Sequence, residues 1–206
     1  MPPLTKQIAL LGCVAVIQAK GADSTKVKVL DRLDRIDPKT LEVREAKAKI
    51  VDTKDAEHPR AIELVMDYAK PGSWPGLNKK FPEGTINPKK YVAIRYWVKS
   101  NSGTGYSVGF AGAAPRKDGK RDSFWADHPA ATETWTLVTI PFEKLKRNAE
   151  KIWKNGAQQI TPGGGEPPDA EDLANFNRFG FASIIDWRGS ATTGHLMFDG
   201  IELVEK

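Results

Sequence analysis

Apolar and polar residues alternate along most of this chain with the two-residue period of strands that have one face in a core. In Ala61–Tyr68, the residues Ile62, Leu64, Met66 and Tyr68 share one face, and Glu63, Val65 and Asp67 share the other. In Tyr91–Lys99, Val92, Ile94, Tyr96 and Val98 face one way, and Ala93, Arg95, Trp97 and Lys99 face the other. Shorter runs at Val27–Leu30, Ala48–Val51, Tyr106–Ala111, Trp135–Phe142, Phe179–Trp187 and His195–Val204 bring the expected set to about eight or nine strands. Turn residues separate the runs, most densely in Lys70-Pro71-Gly72-Ser73-Trp74-Pro75-Gly76. The pattern predicts an all-β sandwich rather than alternating strands and helices. Helical signal is local. Leu145, Ala149, Ile152 and Trp153 are spaced for a short helix over Lys144–Lys154, with Trp153 as its anchor. Asp169–Asn175 predicts a further turn with Asp169 as N-cap and Asp172 three residues on. Thr161–Pro168 is too rich in Gly and Pro for regular structure and reads as a loop.

The first 21 residues break this pattern. Lys6 is followed by an uninterrupted apolar run from Ile8 to Ile17, and Ala19 and Gly21 supply small residues before Ala22. That order predicts a secretory signal peptide over residues 1–21, with residues 22–206 as one mature domain that is secreted or periplasmic. Leu10-Leu11-Gly12-Cys13 offers an alternative, a lipoprotein signal that leaves Cys13 lipidated. The run is shorter than the roughly 20 residues of a membrane span, so no transmembrane segment is expected.

Composition changes the picture mainly through this leader. Lys6 and Lys20 lie in it and no acidic residue does, so its removal takes 31 basic residues to 29 against 26 acidic, and the net charge from +5 to +3. The only Cys goes with it. A cysteine-free mature chain suits export. The remaining Lys and Arg are scattered among acids, which argues against nucleic acid as a partner.

Catalytic signatures are absent from the sequence. The three histidines, His58, His128 and His195, include no pair at helical metal-ligand spacing. His58, in Glu57-His58-Pro59-Arg60, reads as part of an exposed turn, and so does His128 beside Asp127. Gly163-Gly164-Gly165 runs into Glu-Pro-Pro instead of a Lys-bearing helix, so it is no phosphate loop.

Four phrases together resemble a known family. Ala61-Ile62-Glu63-Leu64-Val65-Met66-Asp67-Tyr68, Tyr91–Lys99, Trp135-Thr136-Leu137-Val138-Thr139-Ile140-Pro141-Phe142 and Leu196-Met197-Phe198-Asp199-Gly200-Ile201-Glu202-Leu203 are similar, in order and spacing over about residues 45–204, to strands of galactose-binding-like β-sandwich carbohydrate-binding modules. The resemblance implies a jelly-roll β-sandwich of two antiparallel sheets, with one short helix and long loops. It also implies a non-catalytic, lectin-like domain that binds a polysaccharide or glycan on a sheet face or at a loop edge. Fold alone does not give function, so the residues must carry that reading.

Sugar binding needs a flat apolar surface against pyranose C–H groups and directional partners for hydroxyls. Glu63, Asp67, Arg95, Trp97, Arg178 and Asp186 lie on the non-core side of their strands and supply that mixture. Trp74, Trp125 and Trp187 fall in expected loops and extend or replace the platform. Trp135 reads as a core residue. Two alternatives stay open: Trp97 and Arg95 lie under the Lys144–Lys154 helix, or Arg95 forms a structural ion pair with Asp67 or Asp186. No cofactor is required. By the resemblance, Asp199 is a candidate ligand for structural calcium, although Gly200 stands where a second Asp is usual. A separate secreted enzyme is an expected partner, since the chain has no room for a catalytic domain beside this one. The competing functions are a cell-envelope protein-interaction module on the same fold and a polysaccharide lyase or glycosidase, for which Arg95, Tyr106 and His195 are loose candidates.

Overall fold

The computed structural model describes residues 25–67, 75–101, 105–112, 123–128, 131–147, 150–154, 157–161, 165–183 and 193–206. The leader at 1–21 and the candidate residues Trp74, Asp186 and Trp187 lie outside the described residues.

The elements run β1 Val27–Asp31, β2 Leu41–Arg44, β3 Ala46–Asp52, β4 Arg60–Asp67, β5 Gly76–Lys80, β6 Tyr91–Lys99, β7 Tyr106–Gly112, β8 Ser123–His128 and β9 Thr136–Pro141. A single 3-10 turn, Phe142–Lys144, precedes β10 Lys146–Arg147, β11 Glu150–Lys154 and β12 Ala157–Thr161. The helix α1 Ala170–Asn175 then leads into β13 Phe176–Ser183 and β14 Thr193–Glu205. The first sheet has the order β3-β4-β14-β6-β9, with β1 also paired to β14. The second has the order β10-β8-β7-β13-β5-β2, and β11 and β12 form a separate hairpin. All described strand pairs are antiparallel. This is the predicted β-sandwich.

The alternation read from the sequence locates the core. Ile62, Leu64 and Met66 on β4 and Ile94, Tyr96 and Val98 on β6 are buried from the first sheet. Val108 and Phe110 on β7, Phe124 on β8, and Phe179 and Phe181 on β13 are buried from the second. Aromatic rings join the two layers. Phe181 on β13 stacks on Phe198 of β14 with centroids 3.8 Å apart. The Tyr96 hydroxyl meets the Tyr106 hydroxyl at 3.2 Å, so the two buried phenols satisfy each other across the sandwich. Burial pushes both phenols above their ordinary range. Tyr106 is therefore a core residue, away from any lyase chemistry.

Gly200 explains how one long strand serves two neighbours. It has φ of +62°, which favours glycine, and it lies at the register shift between Asp199 and Ile201. Before it, Thr193–Phe198 pairs with β4; after it, Ile201–Val204 pairs with β1. Phe198 and Ile201, three apart, both face the core because the bulge resets the alternation.

Several expectations need correction. Lys144–Lys154 is not a helix: a 3-10 turn, β10 and β11 occupy it. Leu145 and Phe142 plug the core, and the chain then leaves in extended form. The overlooked signal is Asn155-Gly156, the two residues between β11 and β12, a pair that favours a two-residue hairpin over a helix. Trp125 lies on a strand, not a loop, because Phe124 beside it is a core residue. The Asp169 cap is as predicted. Asp172 N donates to the Asp169 carboxylate at 2.9 Å, and Asp169 N donates to the Asp172 carboxylate at 3.0 Å.

Candidate functional site

Each sheet has an outer face, and the two differ in how fully their polar groups are matched. On the first sheet, register places opposite charges together. Lys49 on β3 is opposite Glu63 on β4, and their ion pair measures 2.7 Å. His195 Nε2 lies 2.7 Å from the other Glu63 oxygen. Arg95 on β6 is opposite Glu202 on β14, and its Nε donates to that carboxylate at 2.6 Å. Burial of Glu63 pushes its pKa up, but the hydrogen bonds and charges of Lys49 and His195 outweigh that and hold it below the ordinary value.

The remaining functional candidate on this face, Trp97, is covered from the loop between β3 and β4. Asp55 Oδ1 accepts from the backbone N–H of Glu57 and of His58, at 2.9 and 3.1 Å, and the Thr53 hydroxyl donates to the His58 carbonyl. This side-chain-capped turn carries His58 onto the sheet. Its ring lies 4.5 Å from Trp97 and 4.7 Å from Trp135, between centroids, and its Nδ1 is 2.7 Å from the Asp199 carboxylate. His58 is therefore buried, not in an exposed turn. Trp135 is half-buried on this outer face and not in the core, with the Lys99 ammonium 5.2 Å from its ring centroid. Arg95 has Glu202 as a carboxylate partner on the sheet, and Asp186 lies outside the described residues. Asp67 ends β4 at an exposed position opposite Thr193. Asp199 is engaged by His58, and no group of three or more His, Cys, Asp or Glu among the described residues is arranged to hold a metal ion.

The outer face of the second sheet is built differently. One cross-strand row runs Lys146, Trp125, Gly109, Gly180, Asn78, Glu42 from β10 to β2. Both central members are glycine, and larger side chains lie over them. A Cβ on Gly109 would sit 2.6 Å from Trp125 Cε3, so the indole rests directly on the β7 backbone. A Cβ on Gly180 would collide with the Asn78 amide in the same way. The indole and amide thus form adjoining parts of a low platform, which only glycine beneath them permits. The next row runs Ser123, Ala111, Arg178, Lys80. Arg178 adjoins the platform on β13, with its Nε buried and without a hydrogen-bond partner among the described residues. Trp125 Nε1 and Asn177 Oδ1 are in the same condition; on the first sheet's face, so is Trp135 Nε1.

The structure therefore divides the sequence candidates. Glu63, Asp67, Arg95, Trp97 and Asp199 share the first sheet, whereas Trp125 and Arg178 share the second. Those two groups lie on opposite sides of the sandwich and do not form one groove. The lyase candidates also separate, since Tyr106 is in the core while Arg95 and His195 lie on the first sheet's outer face. Sequence reasoning missed Asn78, Gly109 and Gly180. The available signal was a glycine at an outward position between buried residues, in Val108-Gly109-Phe110 and Phe179-Gly180-Phe181.

No protein-family model matches the chain, and no curated protein sequence matches it. Solved structures do. A family 11 carbohydrate-binding module of a cellulosomal cellulase from Clostridium thermocellum superposes with a TM-score of 0.62 at 16% identity, over 89% of this chain and 96% of that one. A family 30 carbohydrate-binding module gives 0.54 at 12% identity, over 81% and 92%. An exo-beta-agarase gives 0.56 at 13% identity, over 85% of this chain but 25% of the enzyme. At these identities the likeness speaks for the backbone: this chain has the β-sandwich fold found in carbohydrate-binding modules.

Proposed function

We propose that the protein is a non-catalytic carbohydrate-binding domain and that it binds polysaccharide on the outer face of the second sheet. The observation that carries this reading is Trp125 packed directly over Gly109, beside Asn78 and Arg178. Such an indole offers an apolar plane to a pyranose ring, while an amide and a guanidinium beside it offer directional bonds to hydroxyls. The first sheet's outer face is the weaker candidate, because Arg95, Glu63 and Asp199 already have protein partners there. The fold of the superposed modules supports the same class of function. Export belongs to this reading and rests on the sequence of residues 1–21, and a separate secreted enzyme is the partner it proposes.

The test is calorimetry and affinity electrophoresis of the full chain against a panel of soluble neutral and charged polysaccharides, with Trp125→Ala and Trp97→Ala in parallel. Trp125→Ala is expected to weaken binding at least about 10-fold, as loss of an aromatic platform does, and Trp97→Ala to leave affinity unchanged. No binding at millimolar sugar, or loss of binding only in Trp97→Ala, would overturn the assignment.

A further inference from the structure

The charge on this same face points to a narrower class of ligand. Arg178 on β13 is directly opposite Lys80 on β5 in the antiparallel register, so two like charges face each other across one strand spacing. Such pairs are unfavourable unless an anion lies between or beside them. The Glu42 carboxylate reaches Lys80 at 3.5 Å in an exposed pair. The other partly buried arginines among the described residues are treated otherwise. Arg95 has Glu202 at 2.6 Å, and Arg147, stacked on Phe124, has Asp172 at 3.0 Å. Arg178 has its Nε removed from water with no acceptor supplied by the described chain. Leaving such a donor unmade is costly in the free protein.

Other positions on the face have the same sign. Lys146 is opposite Trp125 at one edge, and Arg44 is on β2 at the other. The described acidic positions in these rows are Glu42 and, opposite Ser107, Asp127. From β10 to β2 the face is six strands wide, about 24 Å at the usual strand spacing. A chain lying across the strands would meet cations at both edges and beside its platform.

We infer that the ligand is an anionic polysaccharide, with Arg178 and Lys80 receiving its carboxylate or sulfate groups while the sugar ring rests on Trp125. This rests on the binding face proposed above and adds the charge of the ligand. Arg178 suits the task because its planar guanidinium takes a carboxylate or a sulfate through two parallel hydrogen bonds.

The experiment measures affinity of the full chain for matched pairs: polygalacturonate and its carboxyl-reduced form, and a sulfated galactan and its desulfated form. Polyglutamate serves as a control for charge without sugar. Arg178→Gln is compared with the wild type and with Lys28→Gln, which removes an exposed charge from the first sheet. The expected result is at least 10-fold tighter binding to one anionic member than to its neutral partner. That preference should disappear in Arg178→Gln, persist in Lys28→Gln, and be absent for polyglutamate. Preference within the uronate pair assigns a carboxylate, and within the sulfate pair a sulfate. Equal affinity for neutral and charged members, with binding still lost in Trp125→Ala, overturns the anionic ligand and leaves the binding face standing. Equal binding of polyglutamate, or a preference unchanged by Arg178→Gln, also overturns it. Failure of every glycan to bind overturns both readings.

Discussion

Two arginines show how the faces of this sandwich differ. Arg95 and Arg178 each lie mid-strand, point outward and are directly opposite a charged residue on the next antiparallel strand. For Arg95 that residue is Glu202, and the pair closes to 2.6 Å. For Arg178 it is Lys80, and among the described residues no acceptor meets its Nε. The first face extends the Arg95 solution to Glu63 and Asp199: Lys49 and His195 hold Glu63, and His58 holds Asp199. It behaves as a second, polar packing layer over the sheet. The second face has glycine at its centre and leaves polar groups unmatched. Matched groups contribute to the stability of the free protein, whereas unmatched groups have most to gain from a ligand.

This contrast breaks most readily at His58. His58→Ala should empty the space between Trp97 and Trp135 and strip Asp199 of its donor, at a cost of about 2–4 kcal/mol in denaturant unfolding. A loss below about 0.5 kcal/mol would mean that the covering loop is ornament and that Trp97 is accessible for binding. The arginine pair gives the next largest effect. Arg95→Gln leaves Glu202 without its charged partner and should cost about 1–2 kcal/mol, while Arg178→Gln removes an unmet donor and a like-charge contact and should leave stability unchanged or raised. Equal losses in the two variants would erase the distinction between the faces.

The smallest expected effect is on pH dependence. The Glu63 carboxyl is held below its ordinary value of 4.5 in the folded protein. Its ionised form therefore stabilises the fold above that pH, and the contribution is lost as pH falls through the lower, folded-state pKa. Urea unfolding between pH 6 and pH 3 should show a decline that is shallower in Glu63→Gln, which no longer titrates. Parallel profiles for the two proteins would show that Lys49 and His195 do not hold the charge.

The inward half of the fold was legible because alternation has a simple physical basis. Ile62, Leu64, Met66, Ile94, Tyr96 and Val98 each took the face that their period assigned. The Lys144–Lys154 segment failed because four apolar residues in eleven fit a helix loosely, and Asn155-Gly156 just beyond them carried the stronger instruction. The candidate site was legible only in part. Arg178 reads as an outward strand residue and Trp125 as a loop residue, and nothing local in the sequence separates them from Arg95 and Trp97. His58 was misjudged because its burial depends on Asp199, far along the chain.

By itself the sequence determined most of the strand phase, the Asp169 cap and the expectation of a sandwich to cover so many one-sided strands. These are set by neighbours two to four residues apart, where steric period and local hydrogen bonds act. Tertiary structure alone decided which outward residues share a sheet, which charges meet their complements and which remain open. Those outcomes depend on strand order and register, which bring Glu202 to Arg95 and Lys80 to Arg178 from distant parts of the chain. Electrostatic matching follows distance in space, and alternation along one strand cannot report it.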